Sequence, residues 1–70
     1  MTSDPPEAVA RRLLDEAAWH WWTAAAAERR GLLVNTPADL PDSRAYLQAG
    51  AEYAERLAEA HRRRMAGEAK

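Results

Sequence analysis

Four consecutive residues, Trp19, His20, Trp21 and Trp22, hold much of this chain's capacity to bind or react. An imidazole can ligate a metal or move a proton, and an indole can anchor a protein interface. Near the other end stand a second histidine, His61, and an arginine run, Arg62, Arg63 and Arg64. Each group suggests a chemistry, and the spacings discriminate between them.

A metal reading requires carboxylates at helical spacing from the histidines. The two-metal bundle pattern places Glu-x-x-His on paired helices. Here Glu16 precedes His20 by four residues and Glu59 precedes His61 by two. No metal site and no cofactor are expected. Catalysis would need a second reactive group converging on a histidine, and no serine, cysteine or Gly-rich loop does so in the sequence. An elongated helical pair also offers little concavity for a substrate. The expectation is a protein that is not an enzyme.

The arginine run is the candidate nucleic-acid contact, because guanidinium forks suit phosphate oxygens. Its place in a last helical turn has a simpler cause, since the helix dipole stabilises cations there and Glu52, Glu55 and Glu59 lie just before it. Ten basic against eleven acidic residues leave a net charge of −1, which favours no polyanionic partner. Nucleic acid is therefore the alternative partner, and protein the expected one.

Successive helical residues diverge by about 100°, so the four aromatic groups must point to several sides. Projection places Trp21 on an apolar face with Val9, Ala10, Leu13, Leu14, Ala17, Ala24 and Ala25, with Trp22 at its border. Trp19 falls nearly opposite, near Arg12 and Thr23, and needs a second surface. Either residues 32–34 or a symmetry mate covers it, or it anchors another protein. The protein-binding residues are accordingly assigned as Trp19, Trp22, Leu32 and Leu33.

Two helices must position these groups. Asp4-Pro5-Pro6-Glu7 reads as a helix start, with Asp4 accepting from free amides and proline at the first helical position. Helix one is expected over about 5–30, closed by Gly31 in a left-handed cap. A proline-containing connection over 31–42 follows, in which Thr36-Pro37-Ala38-Asp39 can form one helical turn. Helix two is expected over about 43–66, ended by Gly67. Its positions Tyr46, Gly50, Tyr53, Leu57 and Ala60 recur at alternating steps of four and three, flanked by Leu47, Ala54 and His61. With Leu14 and Trp21, the residues Tyr46, Gly50, Tyr53 and Leu57 are assigned to an oligomer seam. Gly50 is expected to accommodate close packing, under Trp21. An antiparallel register puts His20 near Tyr53 and His61 near Arg12.

Composition shapes the assembly. Alanine supplies 17 of the 33 hydrophobic residues, so only sixteen large apolar side chains are available to build a core. A 70-residue chain without cysteine also lacks disulfide support. The expected architecture is all-α: one domain spanning 1–70, an antiparallel two-helix hairpin that dimerises into a four-helix bundle. The longest uncharged stretch, 17–27, falls short of the roughly 18 residues of a membrane span, and the N-terminus lacks the pattern of a signal peptide. A cytoplasmic setting is expected. The functional expectation is a small interaction module that self-associates through helical seams and binds a protein partner by its tryptophan cluster. Its alternative is a dimeric nucleic-acid-binding accessory protein using Arg62, Arg63 and Arg64.

Overall fold

The computed structural model describes residues 4–68, which form two antiparallel helices, α1 (Pro6–Val34) and α2 (Pro41–Glu68). The radius of gyration is 16.4 Å, against about 11 Å for a compact domain of this length. The chain is a slender hairpin, with its helices packed along their length.

α1 starts as proline at the first helical position dictates, but Asp4 does not cap it. No side chain bonds the free amides there, and Asp4 instead pairs with Arg12 at 3.0 Å. The helix also passes Gly31, which keeps a negative φ, and continues to Val34. Its terminal carbonyls have other partners. The Asn35 side-chain amide donates to Gly31 O at 3.2 Å, the Thr36 hydroxyl to Leu32 O at 2.7 Å, and Arg44 of α2 to Leu33 O at 3.2 Å. Pro37 restricts Thr36 to extended backbone and so sets the limit. The connection is consequently short, and Leu40 N–H closes a single turn on Pro37 O at 3.2 Å. α2 begins at Pro41, whose fixed φ suits the first helical position.

The seam between the helices differs from the projected one. On α2 a series of half-buried or buried positions runs Arg44, Leu47, Ala51, Ala54, Ala58, His61 and Met65 in alternating steps of three and four, with Gly50, Leu57 and Glu59 half-buried beside it. On α1 the matching series is Asp15, Ala18, Trp22, Ala25 and Arg29, joined by Ala26 and Leu33. Each helix is thus turned by about one residue from its most apolar face. Alanine explains the choice. Ala51 and Ala54 are 0% exposed, and such small side chains let two backbones approach closely, whereas a seam of Trp21, Tyr46 and Tyr53 would hold them apart. Trp22 packs its ring against Ala25, Ala26 and Ala54.

Candidate functional site

The rotation moves the large apolar side chains outward. Trp21, projected into the core, is 62% exposed, and Leu14 and Tyr46 are 71% and 79% exposed. Val9, Leu13, Leu32, Val34, Leu40 and Tyr53 are exposed as well. Several of these share one side of the hairpin. Trp21 stands edge-on to Trp22, ring centroids 4.6 Å apart, and Trp22 meets Tyr53 edge-on at 5.8 Å. Two shallow depressions adjoin there. One, of about 420 Å³, is lined by Trp21, Ala24, Ala25, Glu28, Leu32, Tyr46 and Leu47. The other, of about 360 Å³, lies among Trp21, Trp22, Tyr46, Gly50 and Tyr53.

Arg29 lines both depressions. Its guanidinium donates to Ala25 O at 3.2 Å, and its stem crosses Gly50, where an added Cβ would lie 3.0 Å from Cδ and Nε. Gly50 therefore does accommodate close packing, but it does so chiefly against Arg29. Of the assigned seam residues, Trp21, Tyr46, Gly50 and Tyr53 are gathered on this side. Leu14 lies two helical turns before Trp21, and Leu57 is half-buried on α2.

The four residues assigned to protein binding are not one patch. Trp22 packs in the seam, Leu32 joins the Trp21 side, and Leu33 is half-buried at the connection end. Trp19 lines a separate depression of about 380 Å³ with Thr23, Ala26, Ala27, Ala58 and Glu59. Residues 32–34 do not cover it, because 13 or more positions of helix put them about 20 Å away. Its neighbours are His20, at 4.8 Å between ring centroids, and the α2 residues Ala58 and Glu59.

Ion pairs rim that side. Arg30 donates twice to Glu55, at 2.8 and 3.1 Å, which lowers the carboxyl pKa of Glu55 and raises that of the guanidinium. Glu59 accepts from Arg62 at 2.6 and 2.8 Å and from Arg63 at 3.0 Å. The hydrogen bond from Arg62 is the larger cause, that from Arg63 a further one, and the Glu59 carboxyl is lowered to about 2. Arg64 approaches Asp15 at 3.4 Å. All three arginines assigned to nucleic acid thus have carboxylate partners within the hairpin.

Asp15 was not singled out by any sequence motif. It is 2% exposed, and its Oδ1 and His61 Nδ1 share a hydrogen bond at 2.9 Å. Among the described residues no donor reaches Asp15 Oδ2. His20, the other histidine, lies 4.0 Å from Glu16 one turn away. Among the described residues no three His, Cys, Asp or Glu side chains gather as a metal site would require, and no helix is long and apolar enough to cross a membrane.

No family model, curated protein or solved structure matches this chain.

Proposed function

We propose that this chain is a small, non-catalytic interaction module that self-associates through its exposed apolar side and so completes a four-helix bundle. One observation carries the reading: the buried residues are mainly alanine, while nine large apolar side chains, Trp21, Tyr46 and Tyr53 among them, are exposed. A grouped apolar surface rimmed by polar residues is the usual mark of a protein-binding site. A third and fourth helix would bury Trp21, Tyr46 and Tyr53 as the inner layer of a bundle. Trp19, on a separate depression edged by ion pairs, is proposed as the anchor for a different protein. The shallow, open form of the depressions supports a binding role over a catalytic one.

Sedimentation equilibrium on the purified chain from micromolar to millimolar concentration tests the self-association. A mass of twice 7.8 kDa is expected. A monomer throughout that range overturns the reading.

A further inference from the structure

Resting on the self-association just proposed, we infer that the occupant of the Trp21 side is a second copy of this chain, running antiparallel, with Trp21 of each copy seated over Ala24 and Ala25 of the other. Area is the first ground. The chain exposes 5426 Å², whereas a compact monomer of its mass exposes about 4,400 Å². The excess, about 1,000 Å², is close to the roughly 800 Å² that each partner contributes to a standard interface.

Shape is the second ground. A twofold interface uses the same patch on both copies, so a projecting group and the recess that receives it must lie on one surface. This side carries both. Trp21 projects, and the depression beside it is lined by Ala24, Ala25, Leu32 and Tyr46 together with the charged Glu28 and Arg29.

Their offset along the hairpin fixes the direction. Both depressions lie on the connection side of Trp21, since Leu32 follows it on α1 and Tyr46, on α2, lines the same recess. A twofold axis along the helices keeps every residue at its own level, setting Trp21 against Trp21 and recess against recess. An axis across the helices, passing near the level of Thr23, exchanges the two levels and brings each Trp21 over the other copy's recess. Leu14, seven residues before Trp21, then falls opposite Leu32 of the second copy.

A chain without cysteine makes this testable by cross-linking. Leu14→Cys and Leu32→Cys are made on separate chains of distinguishable mass. Both positions are exposed in the hairpin, so the substitutions spare its seam. The two variants are oxidised alone and mixed, and each is also sedimented under reducing conditions. Antiparallel pairing yields the 14–32 product in the mixture, with little 14–14 or 32–32 from either variant alone. Efficient 14–14 and 32–32 products overturn the orientation while leaving self-association intact. A reduced dimer that forms none of these products overturns the antiparallel seating of the two Trp21 sides. A monomeric wild-type chain overturns the functional reading on which the inference rests.

Discussion

Asp15 on α1 and His61 on α2, 46 positions apart in the chain, meet at 2.9 Å within a seam built mainly of alanine. A buried carboxylate with one oxygen unpartnered among the described residues is expensive to keep, and alanine seams specify register weakly because their side chains are alike. The pair therefore fixes which turns of the two helices face each other, at some cost in stability. Removing one partner should be worse than removing both. Among the described residues, His61→Leu leaves Asp15 with only the longer approach of Arg64, and it is expected to cost on the order of 2 kcal/mol. Asp15→Leu combined with His61→Leu should recover most of that loss. Thermal melts of the wild type, both single variants and the double variant provide the cycle; a double variant at least as unstable as the sum of the singles contradicts this account.

Gly50 offers a simpler test of close packing. Alanine is favoured over glycine in a helix interior by up to about 1 kcal/mol. Its methyl would meet the Arg29 side chain at 3.0 Å, a flexible neighbour and not a backbone. Gly50→Ala is thus expected to stabilise the hairpin slightly, by less than the full helix-propensity gain. Chemical denaturation should show a higher midpoint with an unchanged slope, and a lower midpoint would mean that Arg29 cannot move aside.

Glu59 gives a pH dependence with a definite sign. Its folded pKa is lowered to about 2, from a usual value of 4.5, first by the hydrogen bond from Arg62 and then by that from Arg63. A lowered carboxyl pKa contributes stability that is present above the ordinary value and lost as pH falls toward the folded one. The difference in melting temperature between wild type and Glu59→Gln should therefore be small but measurable at pH 7, shrink between about pH 4.5 and 2, and vanish below that. Carbon-detected NMR titration of the Glu59 carboxyl gives the same midpoint directly.

The hairpin was legible because its signals are local: prolines at 5, 6, 37 and 41 bracket two long stretches rich in good helix formers. Gly31 misled because the residues that bond the helix end, Asn35, Thr36 and Arg44, include one from the opposite helix. The seam misled for a different reason. Projection ranks faces by hydrophobicity, and the helices pack instead by their smallest side chains, so Ala51, Ala54 and Ala58 meet α1 while Tyr46 and Tyr53 face out. The flanking positions Leu47, Ala54 and His61 carried the right spacing, one residue away. Asp15 was illegible because nothing local distinguishes it from the exposed Glu16 beside it; only the opposite helix, bringing His61, sets it apart.

The three tryptophans are proposed to have three separable roles, and concentration tests the division. A melting temperature that rises with protein concentration reports folding coupled to association. Trp22 lies in the seam against Ala25, Ala26 and Ala54, so Trp22→Ala should cost about 3 kcal/mol and lower the midpoint at every concentration. Trp21 is outside that seam. Trp21→Ala should therefore abolish the concentration dependence, leaving a monomer whose helicity at low temperature is largely retained. Trp19, on the other depression, should change neither quantity by much when replaced by alanine. Circular dichroism melts of all three variants over a hundredfold or wider concentration range, read beside sedimentation, check the division. Should Trp19→Ala remove the concentration dependence and Trp21→Ala leave it, the self-association surface would be the side bearing Ala26, Ala58 and Glu59, and the roles of the two depressions would exchange.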